Sequence, residues 1–182
     1  MYSLTPSEHC EVVKAVVEET DGQVPVISGT GFNRQIGIAL AQQAANVGVD
    51  ASLALPPYYP NSDDRGLTEY YAAIGVATPL PWFVYSRDWV NPAPAWVEEL
   101  AVRVPTLFGW KDGQGDIRRY QQIISRVGDR LYWIGGVGTI AFRATTALES
   151  GPTHPVLPRW RPSSRSCFTT PHLSEMPPVW VT

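Results

Sequence analysis

Apolar and polar positions follow a regular order along the first 138 residues: short apolar runs alternate with longer segments that carry apolar residues at helical spacing. The apolar runs predict five strands, at 24–31, 51–59, 81–86, 106–111 and 131–138. Successive strands begin about 25 to 30 residues apart, which is typical of βαβ units. Apolar strands that alternate with amphipathic helices indicate a parallel sheet covered by helices, and therefore an α/β fold.

Five helices are predicted before and between these strands. The first has a complete start signal, because Thr5 can cap it, Pro6 suits its first turn and Glu8 completes a capping box. Asp21 and Gly22 end this helix. The other four are predicted around 36–47 and 67–74, and over 93–104 and 116–127.

The order of elements fits either a (βα)8 barrel or an open, doubly wound sheet. The turn "SGTGFN" has Gly29 and Gly31 but no third glycine at dinucleotide-binding spacing, so it predicts only a tight strand-to-helix turn. Tyr58, Tyr59, Tyr85 and Lys111 all fall where a predicted strand ends. Both architectures place their sites at that edge of the sheet, so periodicity alone does not choose between them.

The chain divides near residue 138 into a predicted barrel-type domain at 1–138 and a tail at 139–182 that is rich in proline, serine and arginine. Seven of the 17 prolines lie in the tail. Its sequence has neither helical nor strand periodicity, and proline removes backbone donors. We therefore expect the tail to be irregular or disordered.

Composition narrows the class of protein. Hydrophobic residues make up 44% of the chain and the net charge is −3, which gives no electrostatic reason to expect nucleic acid or an anionic membrane as a partner. The sequence shows no apolar run of about 20 residues and no signal-peptide pattern at "MYSLTPSEHC". Cysteines and histidines are scattered, so no metal site is predicted. We expect a soluble cytoplasmic protein.

Lys111 and Tyr85 are the candidate reactive residues. Each ends an apolar strand, and consecutive strands of a parallel sheet would bring them to one edge. A partly desolvated amine has a lowered pKa and attacks carbonyls, while a nearby phenol can relay protons. The alternatives are a lysine whose stem packs on Trp110 while its ammonium reaches solvent, and an ordinary amphipathic core tyrosine.

Five motifs resemble one enzyme family: "VPVISGTG", "LPPYY", "FVYSRD", "FGWKDGQGDI" and "GDRLYWIGG". In this order and spacing they resemble the dihydrodipicolinate synthase / N-acetylneuraminate lyase superfamily of Schiff-base (βα)8 barrels. The Y-x-R-D and G-x-K-D-G-x-G-D patterns are most similar to its 5-dehydro-4-deoxyglucarate dehydratase branch. The resemblance covers about residues 3–138.

The resemblance implies roles for individual residues. Lys111 matches the imine-forming lysine and Tyr85 the proton-relaying tyrosine. The implied substrate-binding residues are Tyr59, Arg87, Gly135 and Gly136. No metal or organic cofactor is implied. The implied partner is a small sugar-acid substrate, and family members form homo-oligomers, although the sequence does not give the oligomeric state of this chain.

The implied reaction is a dehydration coupled to decarboxylation, which converts 5-dehydro-4-deoxyglucarate to 2,5-dioxopentanoate. Two alternatives stay open. One is another Schiff-base lyase or aldolase of the superfamily that acts on a 2-keto acid. The other is a non-catalytic fragment in which Lys111 and Tyr85 only pack.

The chain departs from the family at both ends. A complete barrel needs about 250 residues, and the family's first two strands and its last strand have no counterpart here. We therefore expect an incomplete barrel with exposed sheet edges and impaired catalysis. One hypothesis for the tail is a frameshift, because codons that encode residues 150–160 can be chosen so that another frame reads as a barrel-type strand.

Overall fold

The computed structural model describes residues 1–135 and the backbone of 180–181. Five helices and six strands are found in these residues: α1 (Pro6–Thr20), β1 (Val26–Phe32), α2 (Arg34–Val47), β2 (Ala51–Pro57), α3 (Asp64–Gly75), β3 (Trp82–Ser86), α4 (Pro94–Arg103), β4 (Leu107–Asp112), α5 (Ile117–Val127), β5 (Tyr132–Gly135) and β6 (Trp180–Val181). A 3-10 turn at Gly128–Arg130 joins α5 to β5. Gly136 and nearly all of the predicted tail lie outside the described residues.

The strands form one sheet in the order β5-β4-β3-β2-β1-β6, and every described pairing is parallel. The five predicted strands and the parallel sheet are thereby confirmed, and consecutive strands are neighbours throughout β1 to β5. β6 was not predicted. It pairs with β1 in the register Val26 with Trp180 and Ile27 with Val181, and two residues are too few to show a sequence pattern.

Side-chain caps fix the start of four helices. At α1 the Thr5 side chain accepts a hydrogen bond from the Glu8 backbone, and the Glu8 carboxylate accepts one from the Thr5 backbone, as the sequence predicted. The remaining side-chain caps are Asn33 for α2, Asp63 for α3 and Asp116 for α5. Each satisfies a backbone donor that has no partner within its helix.

The helices pack against one face of the sheet. On that face Trp82, Val84 and Trp110 are fully buried among side chains of α3, α4 and α5. The cluster on the opposite face consists, within the described part of the chain, of strand side chains alone, and Leu53 and Phe83 lie at its centre. Helices on a single face are typical of a barrel, whereas a doubly wound sheet has helices on both faces.

Candidate active site

Lys111 and Tyr85 meet at the carboxyl ends of β3 and β4. They are paired residues in the parallel register, so their side chains leave the sheet on the same face. The Lys111 Nζ atom lies 4.4 Å from the centroid of the Tyr85 ring. Both side chains are half-buried. An amine and a phenol therefore face one common space, as the sequence led us to expect.

Arg87 brings a second cation to the same ring. Its Cζ atom lies 5.5 Å from the centroid of Tyr85. Burial lowers the pKa of Lys111 below its ordinary value, and the positive charge of Arg87 lowers it further. Both effects increase the fraction of Lys111 that is neutral near pH 7, and only the neutral amine is nucleophilic.

Arg87 itself is paired with the neighbouring Asp88. The Nε atom lies 2.8 Å from Oδ2 and the Nη2 atom 3.4 Å from Oδ1, and hydrogen bonding to this carboxylate raises the pKa of Arg87. Asp88 has a φ of 54°, a left-handed conformation that is uncommon for residues other than glycine. The arginine expected to bind a substrate carboxylate thus already contacts a carboxylate of the chain.

Ser86 and Trp110 fasten β3 to β4 from the helix side of the sheet. The Trp110 indole donates a hydrogen bond of 3.0 Å to the Ser86 Oγ atom. The Ser86 hydroxyl lies 3.4 Å from the Lys111 carbonyl oxygen and 3.5 Å from Oδ1 of Asp112. Ser86 is 1% exposed. It therefore anchors the backbone of Lys111 and does not line the space above Tyr85.

Gly113 lets the loop after β4 lie flat on Tyr85. Its backbone amide donates a 2.7 Å hydrogen bond to the Ser86 carbonyl. A Cβ atom at this position would lie 2.7 Å from Cε2 of Tyr85 and 2.9 Å from the Ser86 oxygen, which is too close for any side chain. The sequence offered "KDGQGD" as a family motif, but only the fold shows which glycine contacts the tyrosine.

An aromatic group beside the site was predicted only at Tyr58, which falls at the end of a predicted strand. Tyr2, Phe32 and Tyr58 stand together at the ends of β1 and β2, with ring centroids 6.0 Å apart for the first pair and 5.0 Å for the second. The Tyr2 hydroxyl donates a 2.9 Å hydrogen bond to the Pro56 carbonyl. Tyr2 also interacts electrostatically with Arg87. Because Tyr2 precedes the first helix, no strand or helix pattern marked it.

Of the other predicted substrate-binding residues, Gly135 and Tyr59 lie at the same edge of the sheet. Gly135 pairs with Asp112 at the end of β5, and Gly136 lies outside the described residues. Tyr59 follows β2 and is 80% exposed. In the described part of the chain, no hydrogen bond or ring contact joins Tyr59 to Lys111 or Tyr85.

Three further features of the described residues concern metal ligands, surface grooves and membrane-spanning helices. In residues 1–135 no three His, Cys, Asp or Glu side chains come together as a metal site would need. An open groove of about 650 Å³ lies on the outer surface between α4 and α5, and its lining includes neither Lys111 nor Tyr85. Over the same described range, no helix has both the length and the apolar character needed to cross a membrane.

Comparison with known proteins gives consistent matches. Residues 1–149 match the model of the dihydrodipicolinate synthetase family. A protein of Bradyrhizobium diazoefficiens named a probable 5-dehydro-4-deoxyglucarate dehydratase is 41% identical over 152 residues, covering 84% of this chain and 48% of the relative. One of the same name from Saccharopolyspora erythraea is 39% identical, with 84% and 49% covered. The chain spans about half the length of the curated relatives it matches.

Solved structures give the same picture of the fold. A dihydrodipicolinate synthase from Bacillus anthracis superposes with a TM-score of 0.74 at 30% identity, covering 80% of this chain and 50% of that one. A 4-hydroxy-tetrahydrodipicolinate synthase from Methylacidiphilum fumariolicum gives 0.72 at 27% identity, with 78% and 49% covered. The five-stranded sheet with its helices is therefore part of a barrel of this type.

Proposed function

Because the chain belongs to the dihydrodipicolinate synthetase family, we propose that it carries the Schiff-base half of a lyase site of the 5-dehydro-4-deoxyglucarate dehydratase type. The observation that carries the proposal is the contact of Lys111 with Tyr85 at 4.4 Å, where burial and Arg87 lower the pKa of the amine. Relatives of that name at 37% to 42% identity support the choice of substrate.

Lys111 supplies the nucleophile. Its neutral amine attacks the keto carbon of 5-dehydro-4-deoxyglucarate, and loss of water from the adduct gives an iminium ion. The iminium withdraws electrons and makes the neighbouring CH2 acidic. The Tyr85 ring centroid lies 4.4 Å from the Lys111 Nζ atom, which supports a role for the phenol in relaying the proton that leaves this carbon.

Elimination and decarboxylation complete the sequence. The electron pair left by the proton expels the hydroxyl group β to the imine as water. Loss of CO2 then sends its electron pair into the iminium system, and reprotonation with hydrolysis of the imine releases 2,5-dioxopentanoate and neutral Lys111. Overall, one water and one CO2 leave each substrate molecule, and no oxidant or reductant is consumed.

Arg87 is the proposed carboxylate partner. A guanidinium can hold a carboxylate through two parallel hydrogen bonds, and Arg87 already holds Asp88 with two contacts. A substrate carboxylate would compete with Asp88 for these donors. Tyr59, Gly135 and Gly136 are proposed to complete the substrate-binding surface from the neighbouring strand ends.

Reductive trapping tests the proposal directly, because the chain has only two lysines, Lys14 and Lys111. Lys14 lies on α1 with its side chain 65% exposed and serves as an internal control. The chain is incubated with 5-dehydro-4-deoxyglucarate and borohydride, and the modified peptide is mapped by mass spectrometry. We expect the adduct on Lys111, no adduct in Lys111→Met, and an unchanged yield in Lys14→Met.

Other results would redirect the assignment. An adduct on Lys111 with pyruvate but none with the sugar acid would favour a different 2-keto acid lyase of the family. Equal labelling of Lys14 and Lys111, or no label on a folded sample, would reject the Schiff-base role and favour a non-catalytic fragment.

A further inference from the structure

Gln114 links the two loops that flank the candidate site. Its side-chain amide donates hydrogen bonds to the Val90 carbonyl at 2.7 Å and to the Asp88 carbonyl at 3.2 Å. Both acceptors belong to the loop that follows β3, whereas Gln114 belongs to the loop that follows β4. One amide group therefore binds two carbonyl groups of a segment that begins with Arg87.

Gln114 is itself held firmly. The Asp112 carboxylate accepts hydrogen bonds from the Gln114 backbone at 3.3 Å and from the Gly115 backbone at 3.1 Å. Gly113 is tied to the Ser86 carbonyl. The loop after β4 is thus a fixed base, and the amide of Gln114 projects from it towards the neighbouring loop.

The segment held by Gln114 requires such support. Asp88 adopts a left-handed φ of 54°, a strained conformation for a residue with a side chain. The Asp88 carbonyl is one of the two groups that Gln114 binds. Val90 is 1% exposed in the core, so the segment is anchored at its far end while Arg87 lies over Tyr85 at its near end.

From these contacts we propose that Gln114 is a positioning residue, which holds Arg87 over Tyr85 and thereby maintains the second cation beside Lys111. The inference rests on the proposed function, because that function makes the side chain of Lys111 the reacting amine. Arg87 is the charged group that lowers the pKa of Lys111, and the Tyr85 ring lies against its Nζ atom. Asp88, Tyr85 and Tyr2 act in turn on Arg87, and Tyr132 on β5 belongs to the same face of the sheet as Tyr85.

The test measures the titration of Lys111 without any substrate. Reductive methylation with ¹³C-formaldehyde labels Lys14, Lys111 and the N-terminus, and a Lys14→Arg sample assigns the signals. Gln114→Met removes both hydrogen bonds without adding charge. We expect the Lys111 signal to titrate at higher pH in Gln114→Met, because Arg87 is released, whereas the matched Gln122→Met variant on the exposed side of α5 leaves it unchanged.

A double-mutant cycle shows whether the effect passes through Arg87. Arg87→Met should raise the Lys111 midpoint in the same direction, and adding Gln114→Met to it should give no further shift. Each unit of rise lowers the neutral fraction, and with it the rate of imine formation at fixed pH below the midpoint, by about tenfold.

An unchanged Lys111 midpoint in folded Gln114→Met overturns the proposal, and so does a shift that persists in full without Arg87. If Gln114→Met does not fold, Gln114→Asn provides the test. Its shorter side chain cannot reach the carbonyls of both Asp88 and Val90, so the same rise of the Lys111 midpoint is expected. The titration is independent of trapping: a chain that forms no imine with any keto acid refutes the proposed function, while the effect of Gln114 on Lys111 remains measurable.

Discussion

His9 is a buried residue whose protonation is coupled to folding. It lies on α1 and is 7% exposed. Burial lowers its pKa below 6.5, and a hydrogen bond with the Gly29 backbone only partly opposes this. Below an ordinary pKa of about 6.5 the unfolded chain takes up a proton that the folded chain does not. The free energy of unfolding therefore falls as the pH decreases through this range.

Replacing His9 should flatten the dependence of stability on pH. We expect the free energy of unfolding to fall between about pH 7.5 and 5.5 in the unmodified chain, and to fall less in His9→Gln. Urea unfolding at both values measures this. Burial raises the pKa of Asp50, so this residue instead makes the free energy of unfolding increase as the pH decreases. Its effect lies at lower pH, because the ordinary pKa of an aspartate is lower than that of a histidine. Equal slopes in the two chains would contradict the role of His9.

The proximity of Lys111 and Tyr85 could be predicted from the sequence, because each ends an apolar strand and the two are paired in the parallel register. Gln114 could not, since a glutamine in a glycine-rich loop has no pattern and its acceptors lie 24 and 26 residues away. The alternation of β3 turns Ser86 to the helix side of the sheet, where its hydroxyl accepts a hydrogen bond from Trp110.

The packing of α3 on β3 depends on a glycine. Gly75 is the last residue of α3, and a Cβ atom there would lie 2.6 Å from two carbons of the Trp82 ring. Trp82 is 2% exposed, and its indole donates to the Thr106 hydroxyl at 3.2 Å. The ring has no room to retreat, so the helix end approaches the strand only because position 75 has no side chain.

Gly75→Ala should destabilise the chain by about 1–3 kcal/mol through overpacking. The better helix propensity of alanine opposes this, but only partly, because position 75 closes the helix. Chemical denaturation of the single variant measures the loss. In a Trp82→Phe background the smaller ring leaves space, so the same change should cost less there. An equal cost in both backgrounds would show that the ring does not set the limit.

The first residue of β1 is set by backbone hydrogen bonding and differs from the start that the apolar pattern predicted. The first strand was predicted over 24–31 and is found at Val26–Phe32. Pro25 has no backbone donor, and the Val26 amide donates to the Asp50 carboxylate at 2.7 Å, so the strand begins at the residue that makes this side-chain contact. Apolar content predicts the strand, but this long-range contact sets its first residue.

At the scale of the whole molecule, the sheet has a helix-covered face and a face made of strand side chains. Relatives with about twice the length share this arrangement, which in a closed barrel places the second face inside. The family resemblance implied the barrel, and the number of strands and the chain length indicated that it is incomplete. The sequence could not predict which segment pairs with the edge of β1, because this pairing depends on the position of a strand that is distant along the chain.

The edge of β1 is covered by β6, and we expect this pairing to limit self-association of the chain. β6 pairs in parallel with β1, and its backbone covers donors and acceptors that an edge strand would otherwise present to another chain. A chain that ends at residue 179 should therefore self-associate more strongly than the full chain at equal concentration, measured by sedimentation velocity. Trp180→Ala with Val181→Ala keeps the backbone of β6, so this variant should behave like the full chain. If the truncated chain sediments as the full chain does, β6 does not protect the edge; if the alanine variant associates like the truncated chain, side chains and not backbone pairing are responsible.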